Sequence, residues 1–173
     1  MPSADPGFLG RFLVRVGERL LAVPLVLALF APLAWGVMIW RLSSHSIPLP
    51  AESPLFWELV SNLAHAPLFG ILTLLVAAVL LRPAAWPSPG AARLVPILAL
   101  VVAYGITDEW HQSTVPGRDA SALDVLTDLV ASVQVLWIVA YLGRPERNDA
   151  GLWGRLAIGV LLCVATAALA LLG

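Results

Sequence analysis

The sequence predicts an all-α, polytopic membrane bundle of five transmembrane helices with its N-terminus in the cytoplasm. Three observations predict it. The 173 residues are 60% hydrophobic and 12% charged, which leaves too little polar surface to cover a globule in water. Apolar stretches at about 21–40, 59–81, 91–109, 123–142 and 153–172 approach or exceed the ~20 residues that a helix needs to cross a bilayer. Only helices satisfy their own backbone in lipid, so hydropathy alone makes the chain all-α. The arginines then orient it. Arg11, Arg15, Arg19, Arg82, Arg93, Arg144, Arg147 and Arg155 fall on one side of the spans, and Arg41 and Arg118 on the other. By the positive-inside bias the larger group is cytoplasmic, and the loops at 41–58 and 110–122 face the periplasm or exterior.

Composition also excludes other classes. Ten arginines and no lysine stand against eleven acids, for a net charge of −1, so a basic nucleic-acid binder is ruled out. The one cysteine, Cys163, lies in an apolar run, which excludes a disulfide framework or a cysteine-built zinc site. Residues 1–173 read as a single membrane domain.

Each element has its own signal. Within residues 1–20, Arg11, Arg15 and Arg19 recur every four residues and share one face of a short helix lying on the membrane surface. The first span is retained rather than cleaved, because its apolar run is longer than a signal peptide's and continues into Trp35 and Trp40, an interfacial pattern. The following loop is extended by Pro48 and Pro50. Ser53-Pro54 then gives an N-cap and a first-turn proline, so the second span starts near residue 54. That helix carries Glu58, Asn62 and His65 into the membrane, and Pro67 is expected to kink it. The fifth span, 153–172, is Leu, Ala and Val with a few small polar residues, a composition suited to packing on a partner helix.

Polar residues gather between the third and fourth spans, where five of the eleven acids and His111 fall within residues 105–128. On a helix Tyr104, Asp108, His111 and Gln112 fall near one face, and Glu109 is turned about 100° from Asp108. Asp124 and Asp128 are one turn apart. Ser121-Ala122-Leu123-Asp124 has the capping-box pattern, in which Asp124 closes a helix start. Pro116-Gly117 fits a type II turn. Arg118 suits a bidentate bond to a nearby carboxylate. Asp128 sits inside an apolar run, where a charge costs roughly 2.5–3.5 kcal/mol and is paired or functional. His65, Asp108, His111 and Asp124 have metal-ligand chemistry, but no spacing among them demands an ion, so neither a metal nor a cofactor is expected.

The run Asp108-Glu109-x-His111-Gln112-x-x-x-Pro116-Gly117-Arg118-x-x-Ser121-x-x-Asp124-Val125-Leu126-x-Asp128 resembles the signature of the VanZ-like family of small bacterial membrane proteins. Leu42-Ser43-Ser44 and His65 are similar to further family features, and the likeness covers roughly residues 30–142. The chain departs from the family at Ser61-Asn62, where an Asp-Lys pair is common, at Phe69 in place of tyrosine, and at Asp128 where many members have asparagine. The family's namesake is associated with resistance to the glycopeptide teicoplanin, so the resemblance implies a cell-envelope protein.

Two functions follow as expectations. In the first, an outward-facing site binds or modifies a lipid-linked or amphiphilic envelope component. Glu109, His111 and His65 supply acid–base chemistry there, and Arg118, Asp108, Gln112, Asp124 and Asp128 bind the ligand. In the second, the chain is a non-catalytic accessory subunit docked through its C-terminal helix, and the polar cluster is an internal brace. An ion pathway is poorly served by one deep acid and no second broken helix.

Overall fold

Proline and glycine divide the chain where the bilayer length runs out. The computed structural model describes residues 7–46, 52–81, 89–118 and 120–172. Among them are six α-helices: α1 (Gly7–Ala22), α2 (Leu25–Ser43), α3 (Pro54–Leu80), α4 (Ala91–Gln112), α5 (Ala122–Leu142) and α6 (Asp149–Leu169), the last ending in a 3-10 turn at Ala170–Leu172. No described residue is in a strand. From α2 onward, all five are long and apolar enough to cross a membrane. Pro48, Pro50, Arg82 and Asp119 lie outside the described residues.

Boundaries differ from the hydropathy reading for local reasons. Leu21 and Ala22 end α1 instead of opening the first span, because Pro24 has no N–H to continue α1 and stands at the N-cap of α2. Pro54 does open α3, but the Ser53 side chain makes no capping bond. Pro67 leaves α3 a single helix of 27 residues. The fifth span begins four residues earlier than expected, where the Asn148 side chain accepts the Gly151 N–H at 2.8 Å.

α3 and α5 form the central pair. α2 and α4 pack on one flank and α6 on the other. α6 approaches α5 closely because Gly151 and Gly159 lie against Tyr141 and Gln134, where a Cβ would overlap those side chains. Gln134 also donates to the Arg155 carbonyl at 2.6 Å, and Thr127 to Thr166 at 3.0 Å. The last span therefore has a partner helix within its own chain.

The bundle has two unlike ends. At one, α1 lies across the helices with Leu9, Leu13 and Val14 packed on Tyr141, Leu142 and Leu152, while Arg11, Arg15 and Arg19 are exposed. Phe8 and Phe12 stack outside with ring centroids 6.3 Å apart, giving α1 the apolar and basic stripes of a surface helix. The apolar core fills this end and the middle, around Ala77, Ile97 and Leu136 and then Ile39, Phe69 and Val101. The other end is polar inside. His65 stands fifteen residues from the end of α3 and Asp128 fourteen from the end of α5, so both sit ~22 Å from the arginine-rich end.

Candidate functional site

Two adjacent carboxylates on α4 serve opposite neighbours. Residues one apart on a helix diverge by ~100°, which turns Asp108 toward α2 and Glu109 toward α5. Both are buried, at 1% and 7% exposure. Asp108 Oδ2 accepts from Ser43 Oγ at 2.8 Å and from Gln112 Nε2 at 3.0 Å. One turn along, the His111 ring stacks on Trp40 with centroids 3.8 Å apart, and its Nε2 lies 2.9 Å from Ser44 Oγ. The single Ser44 proton is committed to the Trp40 carbonyl at 2.6 Å, so His111 Nε2 donates in that contact. Ser43, the last residue of α2, and Ser44, its C-cap, thus tie it to α4.

Glu109 replaces the expected capping box. Ser121 does cap α5, its hydroxyl accepting the Leu123 N–H at 3.1 Å. In a capping box the residue three positions on returns to the cap's own N–H, which assigns that bond to Asp124. Instead the Ser121 N–H donates to Glu109 Oε2 at 2.8 Å. Asp124 is displaced from the capping role by a carboxylate from another helix. It is 5% exposed, and its Oδ1 has no hydrogen-bond partner among the described residues. Glu109 Oε1 likewise has none.

Below this pair, His65 Nδ1 lies 3.1 Å from Asp128 Oδ1, deep between α3 and α5. Phe69 stacks one turn from the histidine, at 6.0 Å between centroids and 7° between planes. Asp128 fits because position 105 is glycine: a Cβ there would stand 2.9 Å from Asp128 Oδ2 and 3.3 Å from Phe69. The layer beneath is polar but closed, with Thr73 donating to the Phe69 carbonyl and Ser132 to that of Asp128, both at 2.7 Å.

His65, Glu109 and Asp124 converge, one potential ligand atom from each lying within 4.8 Å of the others. Of the residues weighed for metal chemistry, His65 and Asp124 belong to this group, whereas Asp108 and His111 are engaged with α2. Of the acid–base candidates, Glu109 and His65 meet, and His111 stands apart on Trp40. Arg118 is half-buried, and among the described residues its Nε has no hydrogen-bond partner and it makes no ion pair with a carboxylate. It does lie within electrostatic range of Asp124. The expected turn forms: Gly117 has φ 77°, and the Arg118 N–H reaches the Val115 carbonyl at 3.2 Å.

No family model, curated protein or solved structure matches the chain.

The tryptophans read as interfacial markers also make contacts between helices. Trp35 donates its indole N–H to the Leu68 carbonyl at 2.8 Å, and Trp40 carries His111. Sequence reasoning missed those roles, together with the bond from Glu109 to Ser121. The one local signal was the adjacent Ser43-Ser44 pair at a span end. Beside the buried group the surface opens. A depression of about 460 Å³ between α4 and α5 is bounded by Ile106 and Val125, by Ser113 and Ser121, and by Trp110, with Glu109 its one acidic lining residue.

Proposed function

We propose that the chain is a VanZ-like integral membrane protein of the bacterial envelope whose polar end binds or modifies an amphiphilic, lipid-linked component at the outer face of the inner membrane. The observation that carries this reading is the depression over Glu109. Its apolar side, Ile106 and Val125, suits an acyl or prenyl segment, and its serines suit a polar head. Arg118, half-buried in the same loop though not a lining residue, is the cation proposed to hold an anionic group there. Trp110, 70% exposed at its rim, has the amphipathic ring favoured at a membrane–water boundary. Glu109 is positioned for proton transfer because its bond to Ser121 leaves its second oxygen uncommitted. The skew of arginines toward the opposite end supports an outward orientation.

The test is native mass spectrometry of the protein extracted gently from bacterial membranes. A lipid-class adduct is expected, lost in Arg118→Ala and in Val125→Trp, which fills the depression, while circular dichroism stays unchanged. Absence of an adduct, or its full retention in both variants, sinks the reading. A second reading, an accessory subunit braced by this cluster, draws on the Ser43–Asp108–Gln112 and Ser44–His111 bonds between α2 and α4. It predicts co-purification at fixed stoichiometry with other membrane proteins, and an adduct-free monomer counts against it.

A further inference from the structure

We propose that His65, Glu109 and Asp124 form a binding site for a divalent transition-metal ion, with zinc the best-suited occupant and Asp128 positioning the histidine. One residue comes from each of α3, α4 and α5, and a candidate ligand atom from each lies within 4.8 Å of the others. Around a zinc ion with bonds of ~2.1 Å, tetrahedral ligand atoms stand ~3.4 Å apart, so side-chain rotation of an ångström or so closes the group. The donor set, one imidazole and two carboxylates, suits zinc and accommodates manganese or ferrous iron.

Three features separate this group from an ordinary acidic cluster. All three residues are more than nine-tenths buried, and Glu109 Oε1 and Asp124 Oδ1 have no hydrogen-bond partner among the described residues. Buried polar atoms are nearly always paired. Asp108 Oδ1 and Asp128 Oδ2 are also unpartnered among the described residues, but Glu109 and Asp124 are the two carboxylates whose orphaned oxygens accompany convergence on His65, and there they mark a missing partner. A doubly charged cation balances the two carboxylates and removes their mutual repulsion. The supporting contacts are also those of a metal site. His65 Nδ1 is engaged by Asp128, which leaves Nε2 as the donor, and Glu109 Oε2 is held by the Ser121 N–H. Three protein ligands leave a fourth position open, the arrangement of catalytic rather than structural zinc. The depression bordering Glu109 gives that position a route for water or a ligand oxygen.

This inference does not rest on the identity of any amphiphile, and its test reads the metal alone. Wild-type protein in detergent is stripped with a chelator, then titrated with Zn²⁺ and separately with Co²⁺. Expected are one tightly held ion per chain by elemental analysis and the visible d–d absorption of a low-symmetry cobalt site. Asp124→Asn and Glu109→Gln, both near-isosteric, should weaken binding at least tenfold, and exposed Glu146→Gln should not. Asp128→Asn should keep the stoichiometry but weaken affinity about 10–100-fold, as loss of an orienting partner does. Less than a tenth of an ion per wild-type chain would overturn the proposal without reference to any variant. So would unchanged affinity in both ligand variants. Val125→Trp should retain the ion, so failure of the amphiphile reading and failure of the metal site give different results.

Discussion

Two carboxylates in this chain cap a helix other than their own, at opposite ends of the bundle. At the arginine-rich end Asp149, in the first turn of α6, accepts the N–H groups of Leu9 and Gly10 at 3.0 and 2.9 Å, one on each oxygen. At the polar end Glu109, in the last turn of α4, accepts the Ser121 N–H alone among the described residues. Both use the same physics, a negative group at the positive end of a helix. They differ in what is left over. Asp149 is half-exposed and both its oxygens are engaged, so its role is complete in holding α1 to α6. Glu109 is buried with one oxygen unpartnered and displaces Asp124 from the bond it would otherwise make. A cap accounts for all of the first arrangement and only half of the second.

Substitutions test that contrast, and the largest effect belongs to the buried pair. His65→Ala leaves Asp128 a buried carboxylate without its partner and should cost ~3–5 kcal/mol, read as a lowered unfolding midpoint in detergent. The exposed Arg144–Glu146 pair at the other end, 3.9 Å apart, should yield almost nothing when broken by Arg144→Ala. Next comes Gly105→Ala, whose methyl group meets Asp128 and Phe69, at a cost of ~1–3 kcal/mol; a wild-type midpoint would mean that the side chains yield freely. Asp149→Asn should act locally, accelerating hydrogen exchange at the Leu9 and Gly10 amides while the spans keep their protection. Slowed or unchanged exchange there would remove Asp149 from its capping role. Glu109→Gln should be smallest in stability, neutral or slightly stabilising, since glutamine keeps an acceptor for Ser121 without a buried charge. If it destabilised as much as His65→Ala, Glu109 would be a brace like any other.

Much of the architecture was legible because lipid imposes it. Length and hydropathy located five spans, and Pro54 and Ser121 marked two helix starts from local chemistry alone. The turn at Pro116-Gly117 and the gathering of polar residues at one end were equally readable. The interior pairings were not. Asp124 has the spacing of a capping box, and nothing local says that a glutamate twelve residues earlier takes its place. Trp35 and Trp40 look interfacial by position, yet their partners, Leu68 and His111, lie in later helices. The packing of the last span on α5 was hidden because the glycine notches at 151 and 159 acquire meaning only opposite Tyr141 and Gln134. In each case the deciding group comes from an element that sequence spacing does not bring near.

The His65–Asp128 pair also bears on how the chain is made. Its members are 63 residues apart, so His65 is synthesised and committed to the membrane well before its carboxylate exists. α5 then presents Asp124 and Asp128 to the insertion machinery, each costing roughly 2.5–3.5 kcal/mol if it enters lipid alone and charged. Entry beside a waiting α3 and α4 offers Asp128 the histidine at once and places Ser121 against Glu109. Biogenesis of α5 is thereby coupled to the helices before it. A nascent chain stalled after α4 exposes an unmated His65 and Glu109, the kind of polar surface that membrane quality control can sense.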